Sequence, residues 1–342
     1  MPSSTIVDGP PMIAPLAVTL GDPAGIGPEI VAKAWARRAE AALPPFFAIG
    51  SAEAVRQVWD GPVEIVSSPN EACAVFDAAL PLIQIGGGTV SAPGVPTLET
   101  ARCALDSLGM AVGLAQSGAV GGIVTGPVSK AQLQEIGFTH PGQTEFIAER
   151  CGVSASNVAM MLAGPGLRVV PITIHIPLAQ VAEQLTPELI VSRGRTAARG
   201  LQRWFGIDAP RIAVAGLNPH AGEQGRMGDE ETQIIAPAIA ALRDEGFDIS
   251  GPVSPDALFT PRARETYDLA LCMYHDQALI PLKALYFDDG VNVTLGLPIL
   301  RTSPDHGTAF DIAGKGLADP GAMVAAIRLA GATADTRALA EP

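Results

Sequence analysis

The sequence predicts an α/β protein built on a mostly parallel sheet with helices on both faces. Three observations carry this expectation. Short runs such as "PLAVTL" (15–20) and "GGIVTG" (121–126) are apolar throughout instead of alternating with polar residues, as strands buried on both faces are. Longer Ala-rich stretches with helical spacing stand between them. The two kinds of segment alternate along the chain, the pattern of βα units.

Taken in order, "PLAVTL" is a strand, followed by a Gly/Pro turn and a helix from about Glu29. "PFFAIG" (45–50) is the second strand, and 99–117, "ETARCALDSLGMAVGLAQS", is a helix. "GGIVTG" comes next. "LRVVPITIH" (167–175), "RIAVAGLN" (211–218) and "DLALCMYH" (268–275) repeat the strand theme, with helical spacing over 186–204 and 229–244. The tail starts as a helix after Pro320.

Composition bounds the function. The chain has 342 residues, which fits two domains or one large α/β unit at roughly 100–200 residues per domain. Its 48% hydrophobic content supports a sizeable core and argues against general disorder. A net charge of -13 argues against a nucleic-acid-binding face, which would be basic, but leaves room for an anionic small ligand held by a few local cations. Cys73, Cys103, Cys151 and Cys272 are scattered, so no CxxC or zinc-knuckle spacing exists and a reducing, cytoplasmic setting is expected. The stretch "MPSSTIVDGPPM" lacks the features of a secretory signal. No apolar run reaches the ~18 residues of a membrane span.

The chemistry concentrates at strand ends. His175 closes one predicted strand, His220 lies just past another, and His275 closes a third. In open α/β sheets, ligands bind beyond the carboxyl ends of the strands. Three neutral imidazoles there could hold a divalent ion with a position left open for catalysis. Each His alone is more simply a solvated loop residue, so the signal rests on the three together. "GDPAGIGPEI" (21–30) reads G-x-x-x-G-x-G and is no dinucleotide fingerprint; a tight turn lining a cleft and direct ligand contact both remain open. In "TGPVSK" (125–130), Ser129 and Lys130 could meet an anion or simply cap a helix. Lys283 and Arg301 sit among apolar neighbours, which suits a phosphate or carboxylate, Arg with its fork geometry in particular.

The blocks "VTLGDPAGIGPEI", "TGPVSK", "ITIHIPL", "LNPHAGEQGRMGDEE", "MYHDQALIPLK" and "VNVTLGLPILRTSPDHGTAFDIAGKG" occur in one order over most of the chain. In these it resembles the 4-hydroxythreonine-4-phosphate dehydrogenase (PdxA) family, NAD-dependent enzymes of pyridoxal 5'-phosphate biosynthesis. The resemblance implies two α/β/α lobes like those of isocitrate and isopropylmalate dehydrogenases. Residues 1–135 with 300–342 would form the first, on the cofactor side; 136–299 would form the second, with the metal ligands and dimer interface; the active site would lie in the cleft between. It implies one divalent metal per subunit (Zn, Mg or Co) on His175, His220 and His275, drawn from both subunits of a homodimer. Gln143, Thr144, Lys283, Asn292 and Arg301 match substrate contacts. Asp305, His306, Gly307 and Asp311 fall in a segment that looks like the cofactor site, for NAD or NADP. Asp276 and Lys283 are the catalytic candidates, Asp276 as a proton relay or a partner to His275.

The implied partner is thus a small phosphorylated substrate, with neither nucleic acid nor membrane. The implied reaction oxidises 4-phosphohydroxy-L-threonine to a 3-keto acid that decarboxylates to 3-amino-2-oxopropyl phosphate. One position departs from the pattern: "GQTEF" places Gln143 where many members carry His. Gln exchanges hydrogen bonds but does not titrate near neutral pH. His140, three residues earlier, is a conceivable substitute. The departure keeps a 4-phospho-D-threonate or D-erythronate dehydrogenase open; a cis-dihydrodiol dehydrogenase and a phosphate acyltransferase of related fold are more distant alternatives.

Overall fold

The computed structural model describes residues 14–86 and 92–340. The stretch 1–12, expected to hold no secretory signal, lies outside the described residues. Twelve strands form one continuous sheet: β1 (Leu16–Thr19), β2 (Phe46–Gly50), β3 (Val63–Ile65), β4 (Leu80–Gln84), β5 (Gly122–Thr125), β6 (Ala159–Gly164), β7 (Leu167–Thr173), β8 (Arg211–Ala215), β9 (Asp248–Val253), β10 (Leu269–Tyr274), β11 (Val291–Leu295) and β12 (Arg301–Pro304). Their spatial order is β3-β4-β2-β1-β5-β12-β11-β6-β7-β10-β8-β9. Eight of the neighbouring pairs are parallel. The three antiparallel pairs all lie in the middle, where β11 and β6 join β12 to β7. The expected α/β class with a mostly parallel sheet is what the chain adopts.

The strands that sequence alone picks out are the doubly covered ones. Every residue of β1, β2 and β5 is buried, as continuous apolar runs require. β3, at one edge, is half open to solvent, and its short "VEI" carries no such signal. At the other edge β9 holds Pro252, whose missing N–H is tolerated where no further strand pairs. Pro171 sits inside β7, but β6 pairs with β7 only as far as Val169, so no ladder bond to β6 is lost.

Helices Leu98–Gln116 and Pro187–Phe205 begin one residue from their expected starts, and both starts have local causes. Thr97 and Thr100 form a reciprocal capping box, and Thr186 accepts from Leu189 N ahead of Pro187. The second helix stops at Gly206, in the left-handed region at φ 63°. The tail helix, Gly321–Ala340, lies over β12 and β5, and Thr302 Oγ1 donates to Ala326 O at 3.0 Å. β12 therefore sits with β1–β5, while β6–β11 fill the other half of the sheet. One apolar core runs through both halves, from Leu16 and Val124 to Leu271 and Val293. Among the described residues, no helix is long and apolar enough to cross a membrane.

Asp268 ties β10 to β8. Its carboxylate accepts from Arg211 N at 2.8 Å and Arg211 Nη2 at 3.0 Å. These bonds hold its pKa below the usual 3.8. A folded-state pKa below the unfolded one stabilises above the unfolded value and is lost as pH falls through the lowered one. Asp268→Asn is therefore expected to melt at a lower temperature than the parent at pH 7. The difference should shrink as pH drops below 3.8, and equal melting curves at pH 7 would remove the tie.

Candidate functional site

Arg301, the first residue of β12, defines the site. Strand pairing brings it beside Ile123 of β5. Its Nε and Nη2 donate to Thr125 Oγ1 at 3.2 and 2.8 Å, and its Nη1 donates to Thr294 Oγ1 at 2.9 Å. The residue is 4% exposed. Burial pushes its pKa down to about 10, partly opposed by the Glu145 carboxylate. Its hydrogen-bond partners are neutral hydroxyls, so a desolvated positive charge is left without a carboxylate bonded to it. Such a charge is costly unless paired, and an anionic ligand would pair it.

The cavity beside it has a volume of about 460 Å³. Gln143, Thr144 and Asn292 line it together with Arg301, so four of the five expected substrate contacts converge. Gln143 starts the helix Gln143–Arg150, and its Nε2 donates to Gly126 O at 3.2 Å. That bond orients the amide and leaves Gln143 Oε1 buried without a partner among the described residues. Asn292 Oδ1 is in the same condition. Two unpartnered acceptors beside a buried cation call for a ligand with both an anionic end and N–H or O–H donors. Ser129 caps its helix by accepting from Gln132 N, the cap reading of "TGPVSK", and Lys130 lines the cavity. His140 is not a lining residue. Its ring packs edge-on against Phe138 and Phe146, at 5.1 and 5.6 Å, with Glu149 at 3.7 Å.

The fifth contact, Lys283, lies elsewhere. Its Nζ is 2.8 Å from Asp305 Oδ2, in an adjoining pocket of about 190 Å³. Asp305 and His306 line both this pocket and the larger one, and Gly307 lines the larger. Asp311 is exposed and lines none of these spaces. The segment that follows is fastened from below. Lys33 Nζ donates to Glu29 Oε1, Gly316 O and Ala318 O at 2.7, 2.9 and 2.7 Å. The "GDPAGIGPEI" turn packs closely on its neighbours. A Cβ on Gly21 would sit 2.2 Å from Pro127 O, and one on Gly27 would sit 1.7 Å from Leu20 O. Those glycines are needed for close backbone approach, which favours the turn reading.

Two of the three strand-end histidines meet. His175 follows β7, and His275 opens the helix His275–Tyr286 after β10, β7's parallel neighbour. Their ring centroids are 5.8 Å apart, and both line a pocket of about 200 Å³ with Asp276. His175 lines the Arg301 cavity as well, so the two spaces adjoin. His275 Nδ1 is 2.7 Å from Asp276 Oδ1. That contact favours the proton on Nδ1 and leaves Nε2 free as a ligand atom. His220 is not brought to them. It sits in the loop Pro219–Gly225, beyond β8, with φ 53°. His175 shares that φ, a left-handed conformation that costs a residue with a side chain about 1 kcal/mol or more. Among the described residues, no group of three or more His, Cys, Asp or Glu side chains in the single chain could hold a metal ion.

Thr125 and Thr294, which seat Arg301, and Glu145, which opposes its charge, stand inside the quoted blocks, but nothing in the sequence singled them out. Glu145 could have been found as the neighbour of Thr144 in "GQTEF". The two threonines are ordinary strand residues until the sheet is assembled.

Known proteins bear on this site. The sequence pattern of the family described as "Pyridoxal phosphate biosynthetic protein PdxA" matches residues 42–330. The 4-hydroxythreonine-4-phosphate dehydrogenase of Zymomonas mobilis is 58% identical over 323 residues, 94% of this chain and 96% of the relative. That of Erythrobacter litoralis is 56% identical over 329 residues, 95% and 98% of the two chains. The crystal structure of the Klebsiella pneumoniae 4-hydroxythreonine-4-phosphate dehydrogenase superposes with a TM-score of 0.85 at 40% identity, covering 94% of this chain and 98% of that one. On these grounds the chain belongs to the PdxA family of pyridoxal phosphate biosynthetic proteins.

Proposed function

We propose that the chain oxidises 4-phosphohydroxy-L-threonine with NAD or NADP, giving a 3-keto acid that loses carbon dioxide to yield 3-amino-2-oxopropyl phosphate. The observation that carries this reading is the Arg301 cavity: a buried, carboxylate-free guanidinium for an anionic group, beside two unpartnered amide oxygens for hydroxyl or ammonium donors. The names of the relatives supply the substrate; the cavity supplies groups that suit it.

Arg301 would hold the anionic end, with Thr125 and Thr294 fixing the plane of its fork. Gln143 Oε1 and Asn292 Oδ1 would accept from the substrate's donors, and Thr144 would add a hydroxyl. Lys283, through Asp305, would keep the cofactor-side segment against the cavity. Asp276 would hold the Nδ1 proton of His275. Of the expected ions Zn, Mg and Co, two converging imidazoles, one of them fixed by a carboxylate, suit borderline Zn or Co better than Mg, which prefers oxygen ligands. Asp305, His306 and Gly307 suit a nicotinamide nucleotide, since they flank the same cavity; Asp311 lies outside it. Bound there, the metal supplies a Lewis acid for the substrate's hydroxyl and amine, and the nicotinamide supplies the hydride acceptor.

The third ligand, His220, would come from a second copy of the chain. In support, large apolar side chains stand open on the elements that carry the histidine pair: Leu178 in their pocket at 70% exposure, and Ile280 on the helix that His275 opens at 65%. We place the cofactor lobe at 1–135 with 300–342 and the metal and interface lobe at 136–299. The four unpaired cysteines suit a reducing compartment.

Purified protein is expected to form NADH with 4-phosphohydroxy-L-threonine and to lose that activity to a chelator. Turnover of 4-phospho-D-threonate alone would favour the sister reading that Gln143 keeps in play. Turnover unaffected by chelation would remove the metal.

A further inference from the structure

The loop carrying His220 holds five successive residues in the left-handed region, His220 to Gln224, at φ 53, 49, 74, 44 and 59°. Four of them have side chains, for which that region is unfavourable. Something must hold the loop. Glu230 takes one bond from the Asn218 side chain, at 2.7 Å, and a second, buried carboxylate takes the backbone of the loop base. Glu231 is 3% exposed and opens the helical turn Glu231–Ile235. Its Oε1 accepts from Leu217 N at 2.8 Å and Asn218 N at 2.7 Å, and its Oε2 accepts from Asn218 Nδ2 at 3.0 Å. The loop closes tightly over it. A Cβ on Gly222 would lie 2.6 Å from Oε2, and one on Gly216 would lie 3.1 Å from Oε1. The carboxylate thus fills the inside of the loop that begins two residues before His220. Nothing in the catalytic reading above uses it.

We propose that Glu231 is the positioning residue of His220: its buried carboxylate sets the loop conformation that presents the imidazole to the metal. The proposal rests on the metal reading. It explains why an acid is buried here. Three N–H donors converge on two oxygens, and a carboxylate accepts all three. An amide would have to turn an NH₂ group toward at least one donor. Metal ligands are commonly held in this way by groups that never touch the ion, and losing such a group costs about 10–100-fold in metal affinity.

Two variants test it. Glu231→Gln removes the charge and one acceptor. Gly222→Ala keeps the carboxylate and pushes on it from the loop side. Binding of Co²⁺ alone would be followed by its visible absorption, and amide hydrogen exchange at residues 217 and 218 would be followed without metal. Each folded variant should bind Co²⁺ about 10–100-fold more weakly and exchange faster at those two amides. In a His220→Ala background, Glu231→Gln should add no further loss, because the two act through one contact. Should Glu231→Gln fail to fold, Gly222→Ala decides alone. A folded Glu231→Gln protein with the parent's Co²⁺ affinity overturns the proposal, as does a full additional loss in the His220→Ala background. A parent chain that binds no Co²⁺ overturns the metal reading and the proposal with it.

Discussion

Two inactive variants, His220→Ala and His275→Ala, are expected to restore activity to each other when co-expressed. Each alone should be dead, because each strips every site of a ligand. If His175 and His275 of one chain meet His220 of the other, a mixed dimer keeps one intact site. Random pairing of equal amounts then recovers about a quarter of the parent's activity, since half the dimers are mixed and each has one good site of two. The same experiment with His175→Ala and His275→Ala should recover nothing. Those two rings lie 5.8 Å apart in one chain, so both sites of the mixed dimer lack a ligand. A site built from a single chain would give no recovery from either pair. Recovery from the 175/275 pair would assign the shared ligand differently. The prediction is sharp because it depends on which side chains converge within one fold, which folding of the single chain decides.

Replacing Arg301 by Met is expected to separate binding from stability. Truncating one side of a buried charge pair costs about 2–5 kcal/mol, so kcat/KM should fall by about 30- to 5,000-fold, with KM rising. The free protein should keep its melting temperature or gain a little. Burial already pushes this guanidinium's pKa down to about 10, and its bonds run to Thr125 and Thr294 hydroxyls with no carboxylate partner. Losing those bonds costs about 1 kcal/mol apiece, while removing the desolvated charge returns a comparable amount. Lys should not rescue, because one ammonium cannot span both threonines as the planar fork does. Inorganic phosphate should raise the parent's melting temperature and leave the Met variant unmoved. A variant as active as the parent would remove Arg301 from substrate binding, and a large drop in melting temperature would make it a structural residue instead.

Much of this was legible in the chain before folding. β1, β2 and β5 are written as continuous apolar runs because both of their faces are covered. The starts of Leu98–Gln116 and Pro187–Phe205 are written in Thr97 and Thr186. Gln143, Thr144, Asn292 and Arg301 stand in recognisable blocks, and the structure gathers them around one cavity. The short edge strand β3 and the central antiparallel strands β6 and β11 carried no comparable signal. β3 ("VEI") and β11 ("VNVTL") interrupt their apolar residues with polar ones, while the apolar "AMMLAG" of β6 has a composition that suits a buried helix segment equally well.

The sequence by itself thus determined the α/β class and pointed to most residues that line the candidate site, because burial and capping are decided within a few neighbouring positions. Only the tertiary structure decided that Thr125, 176 residues away in the chain, seats Arg301, that Lys283 turns to Asp305, and that His175 meets His275 while His220 stands apart. Strand order and register are set by packing between distant segments, and no local pattern records which strand will lie beside which.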